Sequence, residues 1–97
     1  MRIISSQHYR DEAKVEAKAA DLRSPVTLPV IHYADDLYVL VDGHHTHEAA
    51  TREGVEIRYE VLTPSDDDRA ALSGQDLLDA LWLDGDWYYL DTGKLVW

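Results

Sequence analysis

The spacing of apolar residues changes period several times along the chain, and each change marks an element. Tyr9, Ala13, Ala17 and Ala20 recur at helical spacing among glutamates and lysines, with Ser5 and Ser6 ahead of them as N-cap hydroxyls. This predicts a helix over about residues 6–22 whose small residues lie against a sheet. Ser24-Pro25 ends it, because a residue before proline is pushed out of the helical region. From Val26 the period becomes two. Val26, Leu28 and Val30 alternate with Thr27, Pro29 and Ile31, a strand that Pro29 assigns to an edge or a strand end. After the polar turn Ala34-Asp35-Asp36, the unbroken apolar run Leu37 to Val41 reads as a strand covered on both faces and paired with the first as a hairpin.

Asp42-Gly43 closes that strand, and His44 to about Glu53 follows as a short helix with Gly54 at its C-cap. Val55, Ile57, Tyr59 and Val61 alternate with Glu56, Arg58 and Glu60, the pattern of a half-exposed strand. A helix between the Leu37 and Val55 strands predicts that they run parallel with a right-handed crossover. Thr63-Pro64-Ser65 is a turn, and Ser65 with Asp68 forms a start like a capping box. Asp66-Asp67-Asp68 admits a divalent ion, but acids at a helix N-terminus are favoured by the macrodipole alone, and that is the preferred reading. Gly74 splits this segment; Ser73 and Asp76 then cap a helix reaching about Leu83, with Leu77, Leu78, Leu81 and Trp82 as its buried face. Trp87 to Leu90 and Leu95 to Trp97 flank a Gly93-bearing turn as a terminal hairpin. Its tryptophans read as core or partner contacts, because Asp79, Asp84, Asp86 and Asp91 around them oppose the phosphates of any stacked base. The expected fold is α+β: a small mixed β-sheet with flanking helices, then a C-terminal helix and hairpin.

At 97 residues there is room for one domain, and 45% hydrophobic residues suffice for a core without disulfides or metals. Nine Lys and Arg against nineteen Asp and Glu give a net charge of −10. Such a charge repels phosphate backbones, so direct DNA binding is disfavoured and a basic, nucleic-acid-binding protein becomes the fitting macromolecular partner. With no cysteine, disulfides, thiolate metal sites and thiol catalysis are excluded. No stretch approaches the roughly 20 apolar residues of a membrane span, and Met1 to Ser6 is too polar for a signal-peptide core, so the expected location is cytoplasmic with no membrane partner.

The chemistry concentrates in Asp42-Gly43-His44-His45-Thr46-His47-Glu48-Ala49-Ala50, where a buried strand turns into a helix. A glycine there lets a ligand approach the backbone, and the first unpaired amides of the helix point at the same spot with partial positive charge. Gly43, His44, His45, Thr46 and His47 are thus candidate phosphate or nucleotide ligands, the histidines gaining charge near neutral pH. A metal is the second reading: on a helix His44 shares a face with His47 and Glu48, at spacings that let ligands converge, and Asp42 and Glu48 are the candidate carboxylates. Surface histidines that cap the helix and bind nothing are the third.

The same residues resemble the core of the ParB/sulfiredoxin superfamily over about residues 26–62. Chromosome-partitioning ParB proteins have Gly-Glu-Arg-Arg-x-x-Ala-Ala at this turn and bind the triphosphate of CTP; sulfiredoxins have Gly-Cys-His-Arg and bind ATP phosphates. Small ParB-like sequences with Asp-Gly-His-His-Arg and paired alanines match this chain at Asp42, Gly43, His44, His45, Ala49 and Ala50. Thr46 stands where the family carries its arginine, which removes a bidentate phosphate partner. His44 stands where sulfiredoxins carry their cysteine, so reduction of sulfinic acids is excluded. The resemblance implies a nucleoside triphosphate with Mg²⁺ as ligand, a phage or mobile-element origin, and metal-assisted phosphoryl or nuclease-type chemistry. In that chemistry Gly43 and adjacent amides hold a phosphate, His44 or His45 serves as acid, and Asp42 or Glu48 carries the metal or acts as base. The alternative is a non-catalytic acidic interaction protein that imitates DNA and engages a basic partner.

Overall fold

Alternating apolar residues on five short strands give one sheet two buried faces, and helices cover both. The computed structural model describes residues 1–97. Its elements are β1 (Arg2–Ser5), α1 (Glu12–Ala20), β2 (Val26–Ala34), β3 (Leu37–Leu40), α2 (His44–Glu53), β4 (Ile57–Val61), a 3-10 turn (Asp68–Ala71), α3 (Gly74–Leu81) and β5 (Tyr88–Tyr89). The fold is the expected small mixed α+β. The sheet order is β4-β2-β3-β1-β5, with β1 parallel to β3, β2 parallel to β4, and the remaining pairs antiparallel.

On one face Ile3, Leu28, Val30 and Leu40 pack with Ala50 of α2, beneath the paired helices α1 and α2. On the other, Ile4, Ile31 and Val39 pack with Leu77, Leu78 and Leu81 of α3. Val39 and Leu40 thus point into opposite cores, as the unbroken apolar run of β3 predicts for a strand covered twice. The β2–β3 hairpin, the bounds of α2 and the Gly54 cap all agree with the sequence reading. So does the terminal hairpin, which bridges Tyr88 to Leu95.

Several expectations are corrected. β1 takes residues read as the lead-in to a helix and inserts them beside β3, burying Ile3, Ile4, Ser5 and Ser6. Neither serine caps α1. Asp11 does, its carboxylate accepting from the amides of Ala13 and Lys14, so the helix starts at Glu12. The helix turns Val15, Ala19 and Leu22 inward, and the Tyr9-Ala13-Ala17-Ala20 stripe faces solvent. Three alanines bury less apolar area than one valine and one leucine at the same spacing.

β2 is an interior strand despite Pro29. The proline lies opposite Val41, just past the end of β3, where its carbonyl accepts from the Val41 amide at 3.0 Å and its missing N–H forfeits only one terminal ladder bond. β3 and β4 are neither neighbours nor parallel: β4 pairs with β2. Because α2 leaves from the end of β3 and delivers β4 beside the start of β2, it begins and ends at the same end of the sheet and is no crossover. After β4, the aspartates close local turns: Asp66 accepts from the amide and hydroxyl of Thr63, and Asp67 caps the 3-10 turn and pairs with Arg69 at 2.7 Å. No Ser65–Asp68 capping box forms. Ser73 precedes α3 without a side-chain cap bond, and α3 stops at Leu81. Trp82 lies beyond it, 54% exposed, its indole N–H donating to the Gly85 carbonyl.

Candidate functional site

The turn between β3 and α2 is shaped by Gly43, whose φ of +85° lies in the left-handed region that residues with a Cβ avoid. A Cβ built there would stand 2.7 Å from Leu28 Cδ2, so the β2 side chain closes over the space a larger residue needs. The Gly43 amide is held by Asp42 Oδ1 at 2.7 Å, and its carbonyl accepts the first intrahelical bond from His47 N–H at 2.8 Å. With glycine as N-cap there is no capping side chain, and the amides of His44, His45 and Thr46 find no acceptor within the protein. These three residues open onto a cleft of about 300 Å³, whose other walls are Leu28, Pro29, Asp42, Gly43 and Lys18 of α1. Lys18 adds a cation to the positive end of the helix. It was missed in the sequence because its place depends on how α1 packs against α2.

The three histidines separate. His44 and His47, one turn apart, are both buried, 5% and 8% exposed. His44 Nε2 meets Ser5 Oγ of β1 at 2.8 Å, and His47 Nε2 meets the Tyr59 hydroxyl of β4 at 3.0 Å. Burial pushes the His44 imidazole down to about 4, with the Arg10 guanidinium adding to the effect. The same two causes, in the same order, lower His47. Both rings are therefore neutral at pH 7 and tie α2 to the sheet. His45 is half-buried beside the cleft, where its Nε2 accepts from the Asp11 amide at 3.2 Å. That leaves its Nδ1 as the donor in the neutral ring.

Of the candidate residues, the structure gathers Asp42, Gly43, His44, His45 and Thr46 around the cleft and turns His47 away from it. Glu48 stands on α2 with its carboxylate on Arg52 at 3.1 Å, and Arg52 also grips Glu12 of α1 through both terminal nitrogens at 2.7 and 2.9 Å. This network holds Glu12 below the usual carboxylate range, the Arg52 hydrogen bond being the main cause. No three His, Asp or Glu side chains converge on a point suited to a metal ion. A Mg²⁺ arriving with a triphosphate would take its ligands mainly from phosphate and water, with the Asp42 carboxylate on the cleft wall.

Compared with known proteins, the chain matches no family model, no curated protein and no solved structure. The functional reading therefore rests on the geometry of the cleft. No helix is long and apolar enough to cross a membrane.

Proposed function

We propose that the chain binds the phosphate groups of a nucleotide in the cleft at the start of α2. The observation that carries this reading is the run of three consecutive amides, of His44, His45 and Thr46, without acceptors and open to a cleft that also holds Lys18. Backbone amides at a helix N-terminus bind anions without needing a charged side chain, which fits a site lacking the arginine of the ParB/sulfiredoxin pattern. The likeness of Asp42 to Ala50 to that superfamily favours a nucleoside triphosphate with Mg²⁺. Phosphoryl or nuclease-type chemistry at this place would call on His45 as the acid nearest the amides and on Asp42 for the metal. His44 and His47 serve the reading as anchors of the helix.

Thermal melts with ATP, CTP, GTP and inorganic phosphate at fixed Mg²⁺ test it. A ligand at about 100 times its Kd adds roughly 2.7 kcal/mol, a rise on the order of 10 °C or more for a chain of this size. The Lys18→Ala protein is expected to lose most of that rise, and Thr46→Arg to exceed it by supplying a bidentate partner. A second reading, an acidic protein that engages a basic nucleic-acid-binding partner, is favoured by one observation: of nineteen acidic residues only Glu12, Glu48, Glu56 and Asp67 form ion pairs. Flat melts with every ligand, together with a pull-down of such a partner that fades as salt rises, would favour it over the first.

A further inference from the structure

β4 is the last strand of the sheet and pairs on one side only, with β2. The ends of that ladder fix the direction of its backbone groups. The Val26 amide donates to the Glu56 carbonyl at 2.9 Å, and the Leu62 amide donates to the Val30 carbonyl at 2.8 Å. Even-numbered residues therefore turn their amides and carbonyls toward β2, and Ile57, Tyr59 and Val61 turn theirs away from the sheet. No strand of the chain meets these outward groups. The free stretch is bounded at both ends, because the Val55 amide donates to the Ala50 carbonyl at 2.9 Å and the Thr63 amide to the Asp66 carboxylate at 2.9 Å. Such an edge is a template for another extended chain wherever its side chains permit.

The side chains of β4 are selective. Arg58 and Glu60, both exposed, project from one face, and Ile57 and Tyr59 pack on the other against the core beneath α1 and α2. With a second, antiparallel copy of β4, opposite charges two residues apart reject the neighbouring alignments. Centring on Arg58 sets two arginines against each other, and centring on Glu60 sets two glutamates against each other. Centring on Tyr59 instead places Arg58 of each copy opposite Glu60 of the other, and Ile57 opposite Val61. In that alignment Tyr59 exchanges two hydrogen bonds with its counterpart and Ile57 exchanges two with Val61, which uses every free backbone group of the edge. Glu60 forms no ion pair within the chain, and Arg58 holds only the exposed Glu56, at 2.7 Å. Val61, 44% exposed, gains an isoleucine neighbour. We propose that two copies of the chain pair through antiparallel β4 strands about a two-fold axis at Tyr59, joining their sheets into one. Such a contact is closed by its symmetry and stops at a dimer. With five residues a side it is a small interface, so the association is weak and governed by concentration.

This edge is separate from the phosphate cleft and does not depend on it. The test is sedimentation equilibrium of the full chain from about 10 µM to 1 mM, with ¹H–¹⁵N NMR over the same range. The wild type is expected to pass from monomer to dimer, with concentration-dependent amide shifts centred on residues 57–61. Arg58→Glu and Glu60→Arg each set like charges opposite one another, and each variant alone is expected to dimerise about tenfold more weakly or worse. Mixed in equal amounts, the two variants are expected to associate with close to wild-type strength, because the mixed pair has opposite charges at both contacts. That recovery also shows that neither variant lost its fold. A wild type that stays monomeric at the top of the range would overturn the assignment and leave the edge to a strand of another protein. Association beyond a dimer, single variants that dimerise as the wild type does, or a mixture no tighter than its components would overturn it equally.

Discussion

Lowering the pH from 7 to 4 is expected to remove roughly 3 kcal/mol of folding stability through His44, which burial holds down to about 4 from the ordinary 6.5. Between those two values the unfolded chain protonates this imidazole and the folded chain does not. Stability from the neutral ring is therefore complete above pH 6.5 and is lost as the pH falls through about 4. His47 is lowered by the same cause and steepens the decline in the same window. Asp66, Asp67 and Asp84, whose carboxyls are held below their usual range by hydrogen bonds to Thr63, Arg69 and His8, act only at lower pH. Urea unfolding measured at half-unit steps from pH 7 to pH 4 checks this. The slope is expected to flatten in His44→Gln, whose amide stays neutral, and an equally steep decline in that variant would assign the effect elsewhere.

The second large effect is expected at Ile4. This side chain is fully buried in β1, between Val39 on the adjoining strand and the leucines of α3. Ile4→Ala removes buried methylene groups and leaves a cavity where the sheet cannot collapse, at a cost of roughly 2–5 kcal/mol. Because β1 also pairs with β5, the loss extends to the terminal hairpin. Chemical denaturation of the variant measures the cost, and a change below about 1 kcal/mol would mean that β1 is not a central strand.

That strand is also the clearest case of what the sequence left hidden. Arg2-Ile3-Ile4-Ser5 is too short for a period to declare itself, and its partner lies more than thirty residues away in Leu37 to Val39. Elements bounded by local chemistry were legible. Gly43 and Gly54 adopt left-handed conformations at the two ends of α2, and that helix was read with its observed bounds. The register of α1 was not, because alanines at helical spacing compete with Val15, Ala19 and Leu22, and only packing against α2 and the sheet decides which set turns inward.

The histidine segment was located correctly as the place where strand becomes helix, but the sides its residues face were open. The only apolar residues of α2 are Ala49 and Ala50, and His44 and His47 fall on the line that leads to Ala50 at three-residue steps. That line is the buried one. The deciding signal was thus present, though masked by the reading of these histidines as ligands gathered at a helix N-terminus. Partners from distant segments, Ser5 and Tyr59 for these histidines and Lys18 for the cleft, depend on tertiary packing and have no local mark.

The most direct test of the phosphate site is to follow the backbone amides of His44, His45 and Thr46 by ¹H–¹⁵N NMR while a nucleoside triphosphate and Mg²⁺ are added. Large, saturable downfield shifts at these three amides, with little change in α3 or β5, are predicted, because new hydrogen bonds form to groups that have none within the protein. Amides that stay in place at saturating nucleotide, or shifts that gather on another surface, would contradict the account.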